Sequence, residues 1–110
     1  MITTHVLDTA AGKPGVGIAV ELDRADPVGA WQLVGAGVTD TDGRLRTLTP
    51  NAIDPGTYRI RFSTGAYFAQ RDVTAFFPAV EIQFTVADGA QHYHVPLLLS
   101  PFGYSTYRGS

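Results

Sequence analysis

Cysteine is absent from the 110 residues. Disulfides, thiolate nucleophiles and thiolate metal ligands are therefore excluded together. No apolar run approaches the roughly 20 residues of a membrane-spanning helix. No basic block exists either. Eight Lys and Arg stand against ten Asp and Glu, mixed along the chain, for a formal net charge of −2. Nucleic acid and anionic membrane are accordingly not expected partners. A basic segment followed by an apolar stretch is missing at the start, and the last residues are not a Ser-Lys-Leu address. The expectation is a cytoplasmic protein, with a periplasmic one left open in case a leader has been removed. Several catalytic motifs are missing too. Gly15-Val16-Gly17 lacks the third glycine of a dinucleotide loop, Gly12-Lys13 is followed by Pro14 rather than Ser or Thr, and no Gly-x-Ser-x-Gly elbow occurs.

What is present is period-two alternation. Val16, Ile18, Val20 and Leu22 fall on one strand face. Tyr58, Ile60 and Phe62 alternate with Arg59 and Arg61, and Val80, Ile82, Phe84 and Val86 with Glu81, Gln83 and Thr85. These read as strands with one solvated face. Trp31–Val34 and Arg44–Leu48 read as shorter strands. Gly12-Lys13-Pro14, Asp26-Pro27, Asp42-Gly43, Asp54-Pro55-Gly56 and Asp88-Gly89 supply the turns, with Asp42-Gly43 and Asp88-Gly89 suited to positive φ. Thr64 to Arg71 breaks the rhythm and reads as a short helix with Thr64 as its N-cap. One domain, residues 1–110, folded as an all-β antiparallel sandwich, is the expectation.

The candidate chemistry lies at the two ends of the chain. In the strand His92 to Leu99, Tyr93, Val95, Leu97 and Leu99 form a core face, while His92, His94, Pro96 and Leu98 form the other. Two readings of that second face stand. One is an edge strand, marked by Pro96, with surface histidines. The other is a strand whose histidines line a cleft. His5, pointing away from Val6, is a third imidazole able to exchange a proton near neutral pH. His92-x-His94 with His5 also has a feasible spacing for a three-histidine zinc site, although such pairs on strands arise easily by chance. Arg44 and Arg46 are strand arginines, and such pairs are commonly just solvated. One placed opposite histidines would instead hold a carbonyl or a developing oxyanion. Asp8, Asp40 and Asp42 read as turn or strand-end carboxylates. The final stretch, after the apolar Val95-Pro96-Leu97-Leu98-Leu99, carries Tyr107 and Arg108 almost to its end, which marks a tail tucked against something.

Three segments together resemble the 5-hydroxyisourate hydrolases, the transthyretin-like enzymes of urate breakdown. They are His5-Val6-Leu7-Asp8-Thr9 followed by Gly12-Lys13-Pro14, the run His92 to Pro101, and the terminal Tyr107-Arg108-Gly109-Ser110, which transthyretin carriers lack. The resemblance implies a prealbumin-like sandwich of two sheets with one short helix, and a homotetramer built as a dimer of dimers with the cleft where dimers meet. It implies hydrolysis of 5-hydroxyisourate to 2-oxo-4-hydroxy-4-carboxy-5-ureidoimidazoline, without cofactor or metal. It places His5, Arg44, His94, Tyr107 and Ser110 at the catalytic centre, with His5, Arg44 and Tyr107 against the substrate. Arg46 is left to solvent, and Arg108 is expected to pair with an acid or a chain carboxylate. The alternative function is a transthyretin-like carrier of a small thyroid-hormone-like ligand.

Overall fold

The computed structural model describes residues 1–110. Nine strands and one helix follow in order: β1 (Ile2–Asp8), β2 (Lys13–Pro14), β3 (Ala19–Ala25), β4 (Trp31–Val38), β5 (Arg44–Leu45), β6 (Gly56–Phe62), α1 (Thr64–Ala69), β7 (Val80–Val86), β8 (Tyr93–Ser100) and β9 (Gly103–Thr106). Two sheets face each other. One has the order β4-β3-β6-β7. The other runs β2-β1-β8-β9, with β5 also paired to β1.

The alternating strands close one core between the sheets. Val20, Leu22, Ile60 and Phe62 from one sheet meet Ile2, Val6, Leu97 and Leu99 from the other, all 2% exposed or less. Thr4 is also fully buried and satisfies its hydroxyl on the Val95 carbonyl (2.6 Å), so the polar atom costs little inside an apolar layer.

The structure corrects several expectations. The sandwich is not wholly antiparallel. β1 and β8 pair in parallel, from Ile2 opposite Tyr93 to Asp8 opposite Leu99. Period-two patterning carries no information about strand direction, and the two strands lie at opposite ends of the chain. Pro96 does not mark an edge, because β8 is flanked by β1 and β9. Val16 lies outside β3, in the turn around Gly17. The strand expected over Arg44–Leu48 is only two residues long. The helix forms where expected, but Ser63 is its N-cap residue and makes no side-chain cap bond; Thr64 lies inside the first turn. Gly43 has the anticipated positive φ of 75°. Gly89 does not, and its value is close approach instead, since a Cβ there would strike the Ile53 carbonyl.

One ionic cluster fastens the outer face of the β4-β3-β6-β7 sheet. Asp23 on β3, 3% exposed, accepts from Arg59 Nε (2.9 Å) and from Arg61 Nε (2.6 Å) on β6. Burial alone would raise its pKa, but the hydrogen bonds from Arg61 and Arg59 outweigh burial and hold it below 3.8. The stabilisation is therefore present above the ordinary carboxylate pKa and is lost as pH falls through the depressed value. Asp23→Ala leaves two cations without their shared acceptor and is expected to destabilise by about 2–3 kcal/mol in urea unfolding near neutral pH. That difference from wild type should shrink in strong acid.

Candidate active site

The site is assembled by register. In β-ladders, directly opposed residues project from the same side of the sheet. Parallel pairing sets Thr3 against His94 and His5 against Pro96. On the other side of β1, β5 sets Arg44 against His5. Thr3, His5, His94 and Arg44 thus share the outer face of the sheet, away from the core.

The turn before β5 is built to deliver Arg44. Asp40 Oδ1 accepts the backbone N–H groups of Asp42 and Arg44 (both 2.9 Å), closing an Asx turn. Gly43 follows with its left-handed φ and passes against the Val6 carbonyl, where a Cβ would collide. The same turn presents the Asp42 carbonyl to His5 Nε2 at 2.8 Å. A carbonyl only accepts, so this nitrogen carries a hydrogen, and in the neutral ring Nδ1 keeps its lone pair.

The tail completes the wall. β9 pairs with β8 from Ser100–Gly103 to Leu97–Thr106. The same register resumes at an isolated bridge between His94 and Gly109, where Gly109 N–H donates to the His94 carbonyl (2.8 Å). Alternation of hydrogen-bonded pairs makes Pro96 and Tyr107 the missing rung. Pro96 has no N–H to give, and its carbonyl takes the Thr106 hydroxyl instead (2.7 Å). Proline therefore opens one gap in an interior strand, at the level of Tyr107.

A cleft of about 240 Å³ results, lined by Met1, Thr3, Thr4, Arg44, Arg46, His92, His94 and Ser110. No acidic side chain is among them. The Thr3 hydroxyl lies 2.7 Å from His92 Nε2 and 2.8 Å from His94 Nδ1. Burial, and then the charges of His92, His5, Arg44 and Arg46, lower the His94 pKa below 6.5, so the ring is held neutral at neutral pH. No group of three or more His, Cys, Asp or Glu side chains is placed to hold a metal ion. The His92 and His94 rings converge on a hydroxyl rather than on a shared coordination point.

Of the residues singled out in the sequence, Arg44, His94 and Ser110 meet in this cleft. His5 stands beside it, opposite Arg44 in the ladder and close enough to lower the His94 pKa. Tyr107 lines a neighbouring cavity of about 260 Å³ with Ile82, Phe84 and Tyr93, and His94 is common to both cavities. Arg46, assigned to solvent, is exposed but lines the cleft. Arg108 pairs with no acid. Its guanidinium stacks 4.4 Å from the Tyr93 ring centroid and donates to Gln91 Oε1 (3.0 Å). Thr3 was not anticipated, and neither was His92 as its partner. Nothing in Thr3-Thr4-His5 distinguishes one threonine from a strand filler.

A family model described as HIUase/Transthyretin matches residues 2–109. The chain belongs to that family. Its relatives include 5-hydroxyisourate hydrolase of Mus musculus, 47% identical over 99% of this chain and 94% of the relative. Among solved structures of the family, 5-hydroxyisourate hydrolase of Klebsiella pneumoniae is 35% identical with a TM-score of 0.88, covering 99% of this chain and 98% of that one. Sea bream transthyretin in complex with thyroxine is 33% identical with a TM-score of 0.92, covering 98% and 93%. Backbone likeness within the HIUase/Transthyretin family thus fits a carrier slightly better than a hydrolase. The cleft chemistry has to discriminate.

Gly109 bears directly on that chemistry. A Cβ at this position would lie 2.6 Å from His94 Cδ2 and 3.2 Å from Pro96 Cγ. Gly109→Ala should push the imidazole aside, displace its ring resonances in NMR spectra and cut turnover by about 10-fold to 100-fold, with little loss of fold.

Proposed function

We propose that this member of the HIUase/Transthyretin family hydrolyses 5-hydroxyisourate to 2-oxo-4-hydroxy-4-carboxy-5-ureidoimidazoline. The observation that carries the reading is the pairing of a neutral-held imidazole, His94, with two arginines and no acidic side chain in one cleft. Such a cleft suits a small ring rich in carbonyl oxygens and able to take on negative charge. It does not suit an apolar aromatic hormone, and this favours the hydrolase over the carrier.

The mechanism follows from these groups. His94 takes a proton from water, and the water oxygen adds to a ring carbonyl carbon. Arg44, with Arg46, holds the oxygen on which charge grows. The ring C–N bond then breaks, and the departing nitrogen receives the proton from the His94 imidazolium. His5, with Nδ1 free, accepts a hydrogen bond from the substrate and orients it. The Ser110 hydroxyl and the tail limit the water in the cleft. Tyr107 closes the site from the adjoining cavity.

Assembly belongs to the same proposal. The chain works as a homotetramer, a dimer of dimers, with clefts opening where dimers meet, in the cytoplasm. Leu7 on the cleft side of β1 is 39% exposed and Tyr107 is 59% exposed in a single copy. Apolar surface of this kind beside a polar site is what a second subunit would cover.

The decisive experiment follows the ultraviolet decay of freshly made 5-hydroxyisourate with and without protein. Acceleration over the spontaneous rate is expected, falling about 10²-fold to 10⁴-fold in His94→Asn. A wild-type protein that leaves the decay unchanged but binds thyroxine would replace this reading with the carrier. Because the neutral form of His94 is the active one and its pKa is lowered, activity is present above the depressed value and lost as pH falls through it. The acid limb of kcat/KM should therefore lie below the usual imidazole value of about 6.5.

A further inference from the structure

Asp40 is exposed and lines no part of the cleft, yet one of its oxygens holds the turn from which two site groups are aimed. We infer that Asp40 is a positioning residue for the reaction. By accepting two backbone N–H groups it fixes both the place of Arg44 and the nitrogen of His5 that carries hydrogen. The inference rests on the hydrolase reading and deepens it, because it gives the aim of two groups at that site a single cause.

Residues 40–44 close on themselves. Asp40 Oδ1 accepts from the N–H groups of Asp42 and Arg44, both at 2.9 Å. The backbone adds the Asp40 N–H to the Arg44 carbonyl and the Gly43 N–H to the Asp40 carbonyl, again at 2.9 Å. The closed turn is fastened to β1 by the Val6 N–H, which donates to the Gly43 carbonyl (2.8 Å), and by the pairing of His5 with Arg44. Two groups leave this turn for the site. One is the Arg44 side chain, which lines the cleft. The other is the Asp42 carbonyl, which accepts from His5 Nε2 at 2.8 Å. Each belongs to a residue whose own N–H is held by the Asp40 carboxylate.

The consequence for His5 is chemical. In the neutral ring, an Nε2–H committed to the Asp42 carbonyl leaves Nδ1 as an acceptor for a substrate N–H. The His5 side chain makes no other hydrogen bond, so this one bond selects the tautomer. Without the Asp40 carboxylate, the N–H groups of Asp42 and Arg44 turn to water. The peptide carrying the Asp42 carbonyl can then rotate away from the imidazole, and Arg44 loses the fixed start of its side chain. The acceptor oxygen, rather than the charge, carries the effect. Asp40 forms no salt bridge with Arg44 or Arg46. The bond from the Arg44 N–H is also the largest influence holding its carboxyl below the ordinary carboxylate range, ahead of the charges of Arg46 and Arg44.

Because Asp40 is exposed, its side chain can be changed without opening a cavity in the core. The test compares full-length wild type, Asp40→Asn and Asp40→Ala, each labelled with ¹⁵N in histidine and checked for folding by urea titration. Asn keeps an acceptor oxygen and drops the charge, whereas Ala removes both. Long-range proton–nitrogen spectra, recorded without substrate at a pH where the rings are neutral, assign the His5 tautomer. Wild type and Asp40→Asn should show His5 with its hydrogen on Nε2, and Asp40→Ala should show a mixture of tautomers. Asp40→Ala should also lower kcat/KM for 5-hydroxyisourate by about tenfold or more. The loss should be shared between a higher KM, through His5, and a lower kcat, through Arg44. Asp40→Asn should recover most of it. The inference fails if a folded Asp40→Ala keeps either the single tautomer or the wild-type kcat/KM. It fails equally if Asp40→Asn is as impaired as Asp40→Ala, since charge would then be the cause. Should wild type leave 5-hydroxyisourate untouched, the function is wrong, yet the spectra still decide whether Asp40 sets the His5 ring.

Discussion

Everything at the cleft depends on β8 being held in two registers at once. On one side it runs parallel to β1, which sets Thr3 beside His94 and His5 beside Pro96. On the other it runs antiparallel to β9, whose register continues to Gly109 beside His94. A slip of one residue on either side would turn Thr3 into the core or carry Gly109 off the imidazole. The fully buried Ile2, Thr4, Val6, Leu97 and Leu99 forbid the first slip, because their side chains would move to the outer face. Core packing thus fixes through strand parity which residues of β1 and β8 face the cleft, while the Asp40–Gly43 turn delivers Arg44.

The same dependence explains what could be read in the sequence. Alternation in β3, β6 and β7 reveals strands because each has one face in the core, and that signal is local. The helix at Thr64–Ala69 is legible as a break in the rhythm, but its cap is not, since Ser63 and Thr64 are both eligible by residue type and Ser63 takes the position without a side-chain cap bond. His94, Arg44 and Ser110 are found through motif resemblance. Thr3 is invisible to both kinds of reading. Its meaning comes from a parallel contact 91 residues distant, and neither propensity nor period encodes strand direction. Pro96 misleads for a related reason. A missing donor suggests a sheet edge, whereas here it removes a single rung between the tail and an interior strand.

The family holds both hydrolases and carriers, and one backbone serves both. The TM-scores of 0.88 to a hydrolase and 0.92 to a transthyretin differ in the unhelpful direction. The backbone alone therefore does not separate the two functions, and in this chain the side chains on the outer face of one sheet carry the hydrolase reading. A contrast inside this chain shows what that face gives up. Arg59 and Arg61 alternate along β6 just as Arg44 and Arg46 alternate in and beyond β5. The first pair shares Asp23, and Arg61 also reaches Glu21 at 3.4 Å. The second pair forms no salt bridge, and its cleft has no acidic side chain. An Arg-x-Arg pattern on a strand is thus used twice, once neutralised for stability and once left with its charge available.

That difference has an energetic direction. Neutralised arginines spend their donors on the protein, so a passing anion gains little from them. Unpaired ones at a half-enclosed site repel each other and nearby imidazolium, which disfavours protonation of His94 and raises the free energy of the empty cleft. A ligand that develops negative charge on oxygen relieves both strains at the moment the charge appears, whereas a neutral ground state relieves little. Preorganised positive charge without a partner therefore discriminates between the bound substrate and its transition state, which is the condition for accelerating a reaction rather than merely holding a ligand. Asp40 lies near both arginines without forming a salt bridge, and an Asp or Glu side chain bridging Arg44 inside the cleft would make the face resemble that of β6. It would also cancel positive charge on which the proposed hydrolysis draws, so the lack of an acidic side chain among the cleft residues bears on function together with the histidines.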